Sequence, residues 1–173
     1  MPTCMRAARE INPNVMVAYA GGITTGQQIA GVLAMGGAAV WCGTRFLATV
    51  ECTECEDWWK QKIVNATEED TYYSKYGDGM ATRSLKPAKY IEAWETSGLP
   101  VLPMAQQRLV GRDLQQGARE AKMWDIVGGA GGQGVGMINE VSTVKEVINE
   151  MVSEAIYYLE EILPRVAKIT AAV

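Results

Sequence analysis

The sequence predicts an α/β fold: a parallel pair of strands joined by a helical crossover, followed by a mostly helical stretch. Two observations carry this. Val15-Met16-Val17-Ala18-Tyr19-Ala20 and Ala38 to Cys42 are continuous apolar runs of strand length, each closed by glycine. Unbroken apolar runs suit strands covered on both faces, as in parallel sheets. Between them lies one helical pattern, and a crossover of that length makes the two strands parallel neighbours.

Taken in order, Pro2 to Glu10 reads as the tail of a helix. Gly21-Gly22 ends the first strand. Thr24 and Thr25 then precede Gln27 and Gln28 by three residues, a capping-box pattern. Ile29, Val32, Leu33 and Met35 follow at helical spacing, and Gly36-Gly37 stops that helix. Gly43-Thr44 ends the second strand. Arg45 to Val50 predicts a short helical turn, and Glu51 to Ala66 an amphipathic helix with Trp58, Trp59 and Ile63. Tyr72 to Pro87 reads as irregular. Ala88 to Thr96 predicts a short helix, Gly98 to Pro103 a turn region, and Ala105 to Trp124 a helix interrupted at Gly111 and Gly117. Gly128 to Gly136 is a glycine-rich loop. Thr143 to Leu163 predicts a long helix with Val144, Val147, Ile148, Met151, Val152, Ala155, Ile156 and Leu159 on one side, ended by Pro164.

Composition excludes several classes. Charged residues make up 21% of the 173 residues, and the net charge is −4 with both signs interspersed. A nucleic-acid partner would need a basic face. No apolar run is long enough to span a membrane. Met1 to Glu10 lacks the apolar core of a signal peptide, so the expected location is the cytoplasm. There is no histidine, which removes the commonest general base near neutral pH. Cys52 and Cys55 form a C-x-x-C, but the other two cysteines, Cys4 and Cys42, are distant in sequence. A structural zinc site needs four ligands, so the pair is expected to bind no metal and to hold no lasting disulfide.

Chemistry is expected at the strand ends. Each glycine-closed strand runs into a helix start, where main-chain N–H groups lack intrahelical partners and the dipole is positive. Glycine lets a phosphate approach such a backbone closely. In (β/α)₈ barrels the phosphate site commonly uses the loops after strands 7 and 8 and the start of a short extra helix. Gly21-Gly22-Ile23 and Gly43-Thr44 fit those positions, with Thr44 adding a hydroxyl. From spacing alone, a phosphate cradle and a pair of tight βα turns are equally good readings. Gly129-Ala130-Gly131-Gly132-Gln133-Gly134 also satisfies G-x-G-x-x-G. A dinucleotide fold would need a further strand with an acidic end, and helical periodicity persists there instead.

Ala20-Gly21-Gly22-Ile23, then Ala34-Met35-Gly36-Gly37-Ala38, then Gly43-Thr44-Arg45-Phe46-Leu47-Ala48-Thr49-Val50-Glu51 resemble the nitronate monooxygenase family. Related FMN-dependent enoyl-ACP reductases share the pattern. The likeness continues through Gly131 to Ile138 and the final helix. Phosphate-binding barrels such as inosine monophosphate dehydrogenases have similar Gly-Gly-Ile segments, whereas the Gly-Thr-Arg-Phe-Leu-Ala-Thr-x-Glu run is far more specific.

The resemblance implies the last two strands of a partial (β/α)₈ barrel, with a helical region folding back over the flavin. Residues 1–66 would belong to the barrel, 67–142 to a cap, and 143–173 to a helix packing back on the barrel. It implies FMN as cofactor, its phosphate on the main chain of Gly21, Gly22, Gly43 and Thr44. Gln133 and Gly134 would approach the ring, with Gly134 standing where many relatives carry serine. The family's catalytic histidine belongs to an upstream Gly-Gly-His-type segment, so no catalytic residue is carried over. The implied activity of the intact protein is oxidation of alkyl nitronates with O₂, or enoyl reduction on the same scaffold. The implied partners are a small-molecule substrate and a separate N-terminal half of the barrel. A chain without that half would act at most as a binder of the flavin phosphate.

Overall fold

The computed structural model describes residues 2–167. Helix α1 (Pro2–Ile11) leads to strand β1 (Ala18–Ala20), helix α2 (Gly26–Ala34) and strand β2 (Ala39–Trp41). The two strands are parallel neighbours, in the register Ala18 to Ala39 and Ala20 to Trp41. This is the crossover unit that the apolar pattern predicts. Among the described residues each of these strands pairs only with the other, and both are shorter than their apolar runs. α2 begins as its sequence dictates: Thr25 caps Gln28 N–H, and the Gln28 side chain answers the cap backbone.

One face of the pair is covered. Tyr19 and Val40 pack with Ile23, Val32, Val147 and Met151, which belong to the α2 region and to helix α7 (Val144–Tyr157). The opposite face is open: Ala18, Ala20 and Ala39 are exposed, Met16 is 83% exposed and Trp41 is 73% exposed. α2 and α7 approach closely at Gly26, where an added Cβ would lie 2.5 Å from Ala155 N. The Glu154 carboxylate accepts the Gly26 N–H at 2.6 Å. The apolar stripe of α7 is thereby divided. Val147, Met151 and Ala155 are buried, while Ile148, Val152 and Ile156 remain half exposed.

Beyond β2 come a short helix α3 (Thr44–Leu47) and helix α4 (Asp57–Val64). The expected helix from Glu51 therefore starts six positions late. Glu51 is drawn away because its carboxylate accepts the Val144 N–H at 2.9 and 3.0 Å, at the start of α7. Cys52 and Cys55 fall in the turn before α4, both as free thiols.

The segment read as irregular contains a hairpin, β3 (Thr71–Ser74) antiparallel to β4 (Thr82–Leu85). Its β-branched and aromatic residues suit strands, and the glycines at 77 and 79 lie in its connection. The hairpin is extended by the glycine-rich loop, since Leu85 N–H donates to Gly129 O at 2.8 Å.

Helix α5 (Lys89–Thr96) precedes helix α6 (Met104–Glu120). α6 runs unbroken through Gly111 and Gly117, against the expectation of interruption. At Gly111 the Tyr90 ring occupies the place a side chain would take. Nor does Pro164 end the last helix. The turn before it widens to π geometry at Tyr158–Ile162, and helix α8 (Leu163–Val166) continues with the proline in its first turn. A proline has no N–H to donate and clashes with the carbonyl one turn back, and a wider turn accommodates both. No helix among the described residues is long and apolar enough to cross a membrane.

Candidate functional site

The C-terminal ends of β1 and β2 position the site. Gly21 and Gly22 follow β1 with φ of 98° and 74°, a left-handed conformation in which a side chain would be strained. The turn is held by Gln28, which sequence reading placed only in a capping box. Its Oε1 accepts Thr24 N–H at 2.7 Å and Thr25 N–H at 3.1 Å. Its Nε2 donates to Gly22 O at 2.9 Å.

After β2, Gly43 O accepts Phe46 N–H at 2.9 Å and Leu47 N–H at 3.3 Å. The amides ahead of these have no partner inside the α3 turn. The glycine-rich loop meets both strand ends. Thr44 Oγ1 accepts Gly132 N–H at 2.9 Å, leaving its own proton free to donate elsewhere. Gly134 presses on the first turn: an added Cβ would sit 2.6 Å from Gly22 O and 2.8 Å from Thr24 Cγ2. The backbone at position 134 thus lies too close to Gly22 to leave room for a side chain.

The six residues singled out from sequence therefore divide. Gly22, Thr44 and Gly134 are gathered through the loop. Gly21, Gly22, Gln133 and Gly134 border one open cavity of about 440 Å³, with Tyr19 and Met137 across it. Gly43 lies outside that cavity. A Cβ at Gly21 or Gly43 would meet nothing within 4 Å, so both main chains face open space.

Arg45 does not reach into this site as a free cation. It is buried and pairs with Glu150 of α7 at 3.4 Å. Its Nη1 is buried without a hydrogen-bond partner. Trp59 packs in the core around Ile63 and donates Nε1–H to Ala130 O at 3.1 Å, fixing the loop from its other side.

The model of the nitronate monooxygenase family matches residues 3–154. The chain belongs to this family. A protein of Mycobacterium tuberculosis named as a monooxygenase is 34% identical over 153 residues, covering 84% of this chain and 40% of its own length. The structure of FabK from Thermotoga maritima matches with a TM-score of 0.72 and 27% identity, over 95% of this chain and 50% of FabK. A nitroalkane oxidase from Streptomyces ansochromogenes matches with a TM-score of 0.72 and 26% identity, over 89% of this chain and 43% of its own. The chain thus spans half or less of the length of each of these proteins. The family is one of oxidoreductases, and the chain shares the α/β architecture of these structures.

The most specific stretch of the nitronate monooxygenase resemblance, Gly43 to Glu51, proves to be a set of ties. Thr44 holds the glycine-rich loop, Arg45 meets Glu150, and Thr49 Oγ1 donates to Phe46 O at 2.8 Å. Val50 N–H donates to Ser142 O at 3.0 Å, and Glu51 caps α7. Gln28, Glu51 and Glu154 were not among the residues singled out from sequence. Only the capping-box spacing pointed to Gln28, and the partners of Glu51 and Glu154 lie 93 and 128 positions away.

Proposed function

We propose that this chain is the C-terminal portion of an FMN-dependent (β/α)₈-barrel oxidoreductase and contributes its flavin-phosphate loops. The main-chain N–H groups of Gly21, Gly22, Gly43 and Thr44, with the Thr44 hydroxyl, would hold the phosphate. Gln133 and Gly134 would border the ring. The observation that carries this reading is the meeting of the glycine-rich loop with both strand ends, through Thr44 Oγ1 to Gly132 N and through Gly134 against Gly22. The residues fit an oxyanion: the backbone is open at Gly21 and Gly43, and the site lies where barrels commonly bind phosphate.

When bound, the flavin carries the electrons of the reaction. The residues of this chain bind and orient it. Residues 1–66 then form the end of the barrel, 67–142 a cap, and the segment from 143 to 173, of which 168–173 lie outside the described residues, packs back on the barrel as a helix. The exposed face of β1 and β2, with Met16 and Trp41, becomes the inner surface of a barrel completed by an N-terminal half. The intact protein oxidises alkyl nitronates with O₂. The likeness to FabK favours a second reading, reduction of an enoyl thioester at the expense of NAD(P)H.

The test is a titration of FMN into this chain, alone and together with an N-terminal barrel half supplied in cis or as a second chain. Weak binding alone, and a tight yellow complex with turnover when both halves are present, is the expected result. Nitronate-dependent O₂ consumption against NAD(P)H-dependent enoyl reduction separates the two activities. Tight one-to-one binding with turnover by the chain alone would refute the argument that a barrel half is required.

A further inference from the structure

The C-x-x-C of the sequence has no part in the flavin reading, and the structure brings its two thiols together. Thr53 and Glu54 form the turn that joins Cys52 to Cys55. A four-residue turn holds its end Cα atoms within about 7 Å, and a disulfide spans about 4.4–6.8 Å between Cα atoms. Both side chains pack on one apolar cluster, around Ala48, Ile63 and Val135. They also feel each other's charge. Burial first, and the neighbouring Cys52 second, push the Cys55 thiol up to about 11.

The two differ in access. Cys52 is half-buried, and it borders an open cavity of about 760 Å³ between α4 and the turn after α6. Cys55 is only 2% exposed. This asymmetry suits thiol–disulfide exchange, in which the accessible sulfur attacks and the buried one needs to reach only its neighbour. Among the described residues no group of three His, Cys, Asp or Glu side chains could hold a metal ion, so none competes for the thiols. The turn also stands between two long-range ties. Glu51 caps α7 on one side, and Trp59 holds the glycine-rich loop at Ala130 O on the other.

We propose that Cys52 and Cys55 are a reversible dithiol–disulfide pair, oxidised by exchange with low-molecular-mass disulfides. The Cys52 thiolate attacks one sulfur of the incoming disulfide. That S–S bond breaks, and the first small thiol leaves as a thiolate and takes up a proton. Cys55 then gives its proton to solvent water and attacks Cys52 Sγ, which breaks the mixed disulfide and releases the second small thiol. The protein loses two hydrogens and the small disulfide gains them. Near pH 7 a thiol titrating at about 11 is thiolate in about one molecule in ten thousand. Well-oriented intramolecular groups reach effective molarities of about 10⁵ M or more, which offsets that fraction. The free thiols of the structure are the reduced state, and a small thiol in excess reverses both steps. The oxidised turn would be locked between the Glu51 cap and the Trp59 tie.

The test treats the full chain with oxidised glutathione, alkylates the remaining thiols, and locates labels and disulfides by mass spectrometry after digestion. The expected product has Cys52 joined to Cys55 and both labels lost, with dithiothreitol restoring them. Cys55→Ala should stop the reaction at a glutathione mixed disulfide on Cys52, and Cys52→Ser should leave Cys55 a free thiol. Because Cys55 belongs to the core, a second probe reads the unaltered chain. Phenylarsine oxide bonds two neighbouring thiols through its arsenic and releases water. It should bind the chain about a hundredfold or more tightly than it binds Cys52→Ser, since the second thiol is captured intramolecularly. A glutathione mixed disulfide that accumulates on Cys52 of the unaltered chain would overturn the proposal, because Cys55 would then be out of reach. So would labels kept on both cysteines once the exposed Cys4 has reacted with glutathione, or equal affinity for the arsenical in Cys52→Ser.

Discussion

Replacing Gln28 separates two jobs that one side chain performs at the strand end. Its Oε1 accepts two backbone N–H groups, from Thr24 and Thr25, and its Nε2 donates to Gly22 O. Gln28→Leu removes these three main-chain bonds, together with the longer ones donated by the Thr24 and Thr25 hydroxyls at 3.3 and 3.4 Å. At about 0.5–1.5 kcal/mol each, reduced because water can replace part of them at a half-buried site, the loss should be about 1–2 kcal/mol. Gln28→Glu keeps both acceptances and places a negative charge at the start of α2, worth about 0.3–1 kcal/mol. It loses the bond to Gly22 O and sets oxygen against oxygen there. The net change should lie within about 1 kcal/mol of zero. Urea unfolding followed by circular dichroism, with unchanged slope, measures both. Amide exchange at Gly22 and Ile23 should quicken in the Glu variant although its overall stability is kept. Near the carboxylate's own titration, around pH 4, the Glu variant should lose its advantage over Leu. Equal destabilisation by Leu and Glu at pH 7 would show that the two accepted bonds do not hold the turn.

Other outcomes follow from the same geometry. Gly26→Ala should destabilise by about 1–3 kcal/mol despite the better helix propensity of alanine, because its Cβ would collide with the backbone of α7; thermal or urea unfolding checks this. Thr44→Val should cost about 1–3 kcal/mol by leaving Gly132 N–H without its acceptor, while Thr44→Ser should be nearly neutral in the same assay. Gly43→Val should leave stability within about 0.5 kcal/mol, since its Cβ faces open space, yet weaken FMN binding once both barrel halves are present. Stability should fall in acid. Hydrogen bonds from Thr67 to Asp70, from Lys89 to Asp125 and from Thr143 to Glu146 hold these carboxyls below their ordinary range. Their contribution is therefore present above the unfolded-state pKa and is lost as pH falls through the folded-state values, which urea midpoints from pH 7 down to about pH 3 would trace.

Local pattern was enough where hydrogen bonds close within a few residues or across one short crossover. The capping box at Thr25 and Gln28, the glycine stops and the two parallel strands needed no knowledge of the rest of the chain. The run from Gly43 to Glu51 likewise announced its family in the sequence. What that run does was decided by tertiary structure. Thr44 meets a residue 88 positions away and Glu51 one 93 positions away, distances over which no periodicity carries information. The same long-range pairing explains the misread elements. Glu51 left a helix to cap another, and the stretch after Tyr72 became a hairpin whose second strand bonds the loop at Gly129. α6 passed unbroken through Gly111 because the Tyr90 ring fills the space there. A lysine's partner is equally invisible in sequence. Lys60 and Lys62 are two positions apart on α4, and only the packing of distant carbonyls around one of them leaves the other facing an open cavity.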